Sequence, residues 1–189
     1  EISTYLISFA IGNFVLWEDT YQGLEREIPI NVYAKPNQID KVEATFTNTK
    51  AFAAFFEDKF GPYPFNRISY VSTNLGCMEH VDNVALSSSL ITGTSNMNSD
   101  FFISHEMSHS WFGNKVTCAN AGEMWLNEGF ATFCNNYYFT EFYGDGDERK
   151  GSGHDGQVLR YGRRDLQFRQ GRLRRLSGEE FWYDCHWQS

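Results

Sequence analysis

The 189 residues contain no unbroken apolar run of 18 residues, so a membrane-spanning helix is not expected. No basic leader followed by an apolar stretch opens the chain, so no signal peptide is read there. The chain also starts at Glu1 without an initiator Met, which leads us to expect residues upstream. Positive charge is scarce: 16 Lys and Arg stand against 24 Asp and Glu, a net charge of −8. That balance argues against a nucleic-acid binder, which needs a basic face. Cysteine is limited to Cys77, Cys118, Cys134 and Cys185, and their spacing fits neither a zinc ribbon nor a C-x-x-C redox pair. A Cys118–Cys134 disulfide in an exported protein and four buried thiols in a cytoplasmic one both fit, so the compartment stays open.

Composition breaks near residue 144. Residues 1–143 hold seven Lys and Arg against sixteen Asp and Glu, whereas residues 144–189 hold nine against eight. Eight of the ten arginines and eight of the sixteen glycines fall in this last segment, which has no Ala, Ile, Asn, Pro, Thr or Met. Three readings fit: a flexible Gly/Arg-rich tail, a short amphipathic helix around Leu159–Leu176, or a segment outside the gene's reading frame. His154 and His186 lie there without spaced partners.

In the body, residues 3–17 and 28–34 are rich in β-branched and aromatic residues and predict strands. Ile39, Val42, Phe46, Ala53, Phe56 and Phe60 recur with a helical period, and Gly61-Pro62 stops that helix. Residues 67–73 and 84–91 predict two further strands. Ser99 or Asp100 would cap a helix over 101–112, with Gly113 at its end, and a second helix is expected over 127–143. Strands first and helices later predict an α+β arrangement. Trp111, Phe112, Trp125, Phe130 and Phe133 are expected in the core, Met107 in packing, and the Phe52–Phe60 cluster on a packed helix face.

The chemistry concentrates in His105-Glu106-Met107-Ser108-His109. Residues four apart share a helix face, so the two imidazoles can reach one metal while Glu106 projects beside the open position. That is the H-E-x-x-H pattern of zinc hydrolases, with the Glu as general base. Two surface or capping histidines on a helix would give the same five letters. A catalytic zinc takes three protein ligands. Glu128, 19 residues after His109 in an apolar and aromatic stretch, is the expected third; Glu123 is its rival.

Two blocks carry a specific resemblance. Residues 105–116 read H-E-M-S-H-S-W-F-G-N-K-V, and residues 124–133 read M-W-L-N-E-G-F-A-T-F. Both resemble the zinc aminopeptidases of the gluzincin clan, the group that includes aminopeptidase N and the leukotriene hydrolase. The resemblance implies one Zn2+ on His105, His109 and Glu128, with Glu106 activating the water. It covers roughly residues 1–143 and implies a thermolysin-like catalytic half-domain over 37–143, preceded over 1–36 by the last strands of a β-domain. Upstream, Gly76-Cys77-Met78-Glu79-His80 resembles the family's G-x-M-E-N, with His80 in place of Asn. The resemblance gives Glu79 the substrate's α-ammonium, and Gly76 and Met78 the lining of the cleft. Peptides with a free N-terminus are then the expected substrates, with no nucleic-acid partner.

The family's Tyr that bonds the oxyanion would fall past Ser189, and a single such donor is worth about 100- to 1,000-fold in rate. Tyr137, Tyr138 and Tyr143 read as helix packing, and Tyr161 and Tyr183 receive no role. Two rivals remain: a zinc-binding but inactive module, and an endopeptidase of thermolysin type.

Overall fold

A computed structural model describes residues 2–143. Residues up to Phe142 form one compact unit. Its sheet has four strands in the order β1 (Val15–Gln22), β2 (Glu27–Ala34), β3 (Ile68–Thr73) and β4 (Val84–Ser87). The first pair is antiparallel and the other two pairs are parallel. β2 alternates buried and more exposed residues, so one face looks inward; β3 is buried on both faces through residue 72. The sheet runs across residue 36, because Ile30 pairs with Ile68 and Tyr33 with Val71.

Four helices complete the unit: α1 (Ile39–Thr45), α2 (Thr49–Phe60), α3 (Met97–Ser108) and α4 (Trp125–Tyr143). Phe52, Phe56, Tyr70, Ile103, Met107, Trp111 and Tyr138 sit in a shared buried cluster. Phe52 meets Tyr138 edge-on at 4.8 Å, and Phe56 lies 5.8 Å from Trp111. Each such ring contributes about 1.5–3 kcal/mol through burial. The Tyr70 hydroxyl donates to the Ile103 carbonyl at 2.8 Å and so locks β3 to α3. α3 also packs against α2 and β4. The mixed sheet and its helices have the α+β, thermolysin-like character expected. No described helix is long and apolar enough to cross a membrane.

Several boundaries differ from the sequence expectation. Residues 3–17 do not form one strand: a 3-10 turn spans Thr4–Leu6, and β1 begins only at Val15. The β-branched and aromatic content that predicted the strand is real, but Ile7, Phe9 and Ile11 are 62, 85 and 90% exposed and join no ladder among the described residues. The single helix expected over 39–60 is two. Thr45 and Thr47 turn their hydroxyls onto carbonyls of the preceding turn, and Asn48 donates to Ser95 and Asp100, both at 2.8 Å. β4 ends at Ser87, where a 3-10 turn takes over. α3 starts four residues early because Asn96 is its cap. Its side chain accepts from the Asn98 and Ser99 amides at 3.1 Å, and Ser99 Oγ accepts from the Asn96 amide. Asp100 is spent on Asn48 and Ser95 instead. α4 begins at Trp125, two residues before the expected start.

Candidate metal centre

α3 and its C-cap residue present His105 and His109 one turn apart, and their Nε2 atoms face each other at 3.2 Å. Local contacts set each ring. His109 is 1% exposed, and its Nδ1–H donates to the Phe112 carbonyl at 3.0 Å. A carbonyl only accepts, so the lone pair of this imidazole is left on Nε2. The chain turns back immediately afterwards at Gly113, whose φ of +128° favours glycine; a Cβ there would lie 2.8 Å from His109 Nδ1. The His105 ring lies nearly parallel to Phe101, 6.2 Å between centroids.

Glu128 comes from the first turn of α4. Its Oε2 is 3.5 Å from each histidine Nε2. α4 is held against α3 by serines: Ser108 Oγ donates to the Ala131 carbonyl at 3.3 Å, and Ser104 Oγ donates to Asn135 Oδ1. The three facing atoms therefore form a triangle with edges of 3.2, 3.5 and 3.5 Å. A tetrahedral zinc with arms of about 2.0–2.1 Å separates its ligand atoms by about 3.4 Å. Two imidazole nitrogens and one carboxylate oxygen are also a donor set that zinc accepts. The residues fit the ion. Glu123 lies outside this cluster and accepts from Trp125 Nε1 at 2.8 Å.

Two further carboxylates adjoin it. Glu79, Glu106 and His109 offer ligand-type atoms within 4.8 Å of one another, and all three are buried. Glu106 Oε2 has no hydrogen-bond partner, nor has His105 Nδ1. Burial pushes the Glu106 carboxyl up to about 8, and the charges of Glu79 and Glu128 add to this against the opposing His109. For His109, burial disfavours the imidazolium, but Glu79 and then Glu128 outweigh it and raise the group to about 9. Burial lowers His105. Glu128 is held far below the usual carboxylate range: burial opposes ionisation, but His105 and His109 overcome it. Three acids around two imidazoles leave a cleft that favours a cation.

The loop after β3 places Glu79. Gly76 has φ +106°, which explains the glycine. Met78 bridges to Ala85 through its backbone (3.1 and 2.9 Å), extending the edge of β4. Asn114, which the sequence reading missed, donates from Nδ2 to the Glu79 carbonyl at 2.7 Å. His80, in the family's Asn position, has a buried Nδ1 without a hydrogen-bond partner. Asn127 was missed as well: its Oδ1 accepts from the Cys118 amide at 3.1 Å. Side-chain amides gave no signal comparable to two spaced histidines.

Other expectations sort plainly. Trp111 is buried, whereas Trp125 is 57% exposed, because it opens α4 on the solvent side and bonds Glu123. Phe112, Phe130 and Phe133 are half-buried, with Phe112 and Phe130 stacked at 5.1 Å. Met107 is in the core. Tyr137 and Tyr138 pack against Phe55. Cys118 and Cys134 are thiols, so the Cys118–Cys134 bridge is not formed. Cys185, His154, His186, Tyr161, Tyr183 and the readings for residues 144–189 lie outside the described residues.

A mixed sheet carrying an H-E-x-x-H helix, with a carboxylate brought in from the next helix, defines a metallopeptidase-type centre. The profile of the peptidase family M1 domain matches residues 44–167, well over half of the chain and past the compositional break. The chain belongs to peptidase family M1. It is 36% identical to human aminopeptidase B over 148 residues, which is 76% of this chain and 21% of that protein. Rat glutamyl aminopeptidase is 33% identical over 143 residues, 70% of this chain and 15% of that protein. Among solved structures, an aminopeptidase A from Legionella pneumophila in complex with aspartic acid superposes with TM-score 0.63 at 22% identity, over 71% of this chain and 17% of that one. An M1 zinc metallopeptidase from Deinococcus radiodurans gives TM-score 0.58 at 21% identity, over 70% and 30%. The chain thus spans between about a seventh and a fifth of the curated relatives it matches.

Proposed function

We propose that this chain carries the zinc centre of an aminopeptidase that releases N-terminal residues from unblocked peptides. His105, His109 and Glu128 hold one zinc ion. The bound ion supplies a Lewis acid that polarises the peptide carbonyl and acidifies water. Glu106 accepts the proton of the attacking water and delivers it to the leaving amine, a role suited to a buried carboxyl pushed towards neutrality. Glu79 pairs with the substrate's α-ammonium and fixes which peptide bond reaches the centre. Gly76 and Met78 shape the loop that carries it.

The observation that carries this reading is the shared position of His109. It belongs both to the three-donor triangle and to the buried group with Glu79 and Glu106. Chemistry and ammonium recognition are therefore neighbours. The test is cleavage of paired free and N-acetylated peptides by the complete enzyme, with and without a chelator. The expected result is chelator-sensitive cleavage of the free peptides alone, reduced about 100- to 10,000-fold by Glu106→Gln. Equal cleavage of acetylated peptides would point to an endopeptidase. Zinc uptake without turnover would point to an inactive module.

A further inference from the structure

Residues 4–8 form no strand, yet they touch both sides of the site. The Tyr5 hydroxyl accepts from Asn127 Nδ2 at 2.9 Å, across 122 residues of sequence. Asn127 is 3% exposed and immediately precedes Glu128. Its amide is engaged at both ends, by Tyr5 on one side and by the Cys118 amide on the other. One residue on, Leu6 is fully buried, and its carbonyl accepts from the Val81 amide at 3.0 Å. Ser8 Oγ accepts from Asn83 Nδ2 at 2.9 Å. The segment thus spans from the loop that carries Glu79 to the first turn of α4. Burial first, and then the charge of Glu79, raises the Tyr5 phenol to about 12, so its hydroxyl keeps its proton across the physiological range.

The rest of the α4 start needs such a support. Glu128 is 51% exposed, so packing does not fix its carboxylate. The serine contacts to Ala131 and Asn135 lie further along the helix.

We infer that Tyr5 is a positioning residue of the metal centre: its hydroxyl fixes the Asn127 amide, which sets the first turn of α4 so that Glu128 meets His105 and His109. The inference rests on the zinc reading above. Partners that orient a ligand from behind typically change metal affinity about 10- to 100-fold when removed. Tyr5→Phe removes the hydroxyl and keeps the ring, leaving the backbone anchor at Leu6 in place.

The experiment is a competitive zinc titration against a chromophoric chelator on the full chain, for the parent, Tyr5→Phe, Asn127→Ser and the double variant. A thermal melt of each metal-free protein accompanies it. Tyr5→Phe is expected to weaken zinc binding about tenfold and to lower the metal-free melting temperature no more than Asn127→Ser does. The double variant is expected to bind no more weakly than Asn127→Ser, because Tyr5 acts through Asn127. Parental affinity in Tyr5→Phe, or full additivity in the double variant, would overturn the inference while leaving the zinc reading standing. A parent whose zinc uptake is indifferent to His109→Ala would overturn both.

Discussion

His109 and Glu128 approach within 3.5 Å, but the fold holds them by different means. His109 is 1% exposed, caps the C-terminal end of α3, is oriented by the Phe112 carbonyl and is closed over by Gly113. All of those contacts come from within four residues. Glu128 is 51% exposed at the start of α4, and its neighbourhood is set by Cys118 and Tyr5 acting on Asn127. One side is written locally and buried, the other is assembled from distant segments at the surface. Disturbing the first should cost both stability and metal binding. Disturbing the second should cost chiefly metal binding.

The largest effect tests that contrast directly. His109→Ala and Glu128→Ala should each weaken zinc binding by more than about 100-fold, since each removes one of the three proposed ligands. Urea unfolding of the metal-free proteins should separate them. His109→Ala leaves the Phe112 carbonyl without its donor and is expected to lose about 2 kcal/mol, whereas Glu128→Ala removes a half-exposed, solvent-screened partner of the histidines and should lose less, about 1 kcal/mol.

Glycine positions give a finer contrast. Gly113→Ala combines a φ of +128° with a Cβ 2.8 Å from His109 Nδ1. A loss of about 2–3 kcal/mol in the unfolding free energy from denaturant titration, together with weakened zinc binding, is expected. Gly76→Ala has a φ of +106° but no atom within 4 Å of the added carbon, so the backbone cost alone remains, about 1 kcal/mol.

The smallest effect is a proton count. With pKa values of about 9 and about 8, His109 and Glu106 both carry protons at pH 7 in the metal-free cleft. Ligation requires neutral His109, and a nearby dication favours the Glu106 carboxylate, so zinc uptake at pH 7 should release about two protons. Release should fall towards zero above pH 9, and apparent affinity should rise between pH 7 and 9. Glu106→Gln should remove about one proton from the count. Calorimetry in two buffers of different ionisation enthalpy measures it.

The same contrast explains what was legible in the sequence. His105, Glu106 and His109 could be read because a five-residue spacing on a helix is a local code. Glu128 was favoured over Glu123 by its spacing from His109 and its apolar, aromatic setting, and the resemblance of its flanking block then agreed with that choice. Tyr5, Asn114 and Asn127 gave no signal, because their roles depend on tertiary contacts to Asn127, the Glu79 carbonyl and the Cys118 amide. In the fold, β2, β3 and α4 followed from composition and periodicity. The 3–17 strand failed because β-branched and aromatic content predicts a strand-like chain without supplying a partner for it. The break in the 39–60 helix failed to show because threonine and asparagine side chains, rather than apolar spacing, end α1.

Zinc X-ray absorption of the chain loaded with one equivalent of metal, beside His109→Ala, tests the central claim most directly. The account predicts nitrogen and oxygen neighbours at about 2.0–2.1 Å, no sulfur at about 2.3 Å, and loss of this signature in the variant. Sulfur in the first shell, or an unchanged spectrum in His109→Ala, would place the metal elsewhere and contradict it.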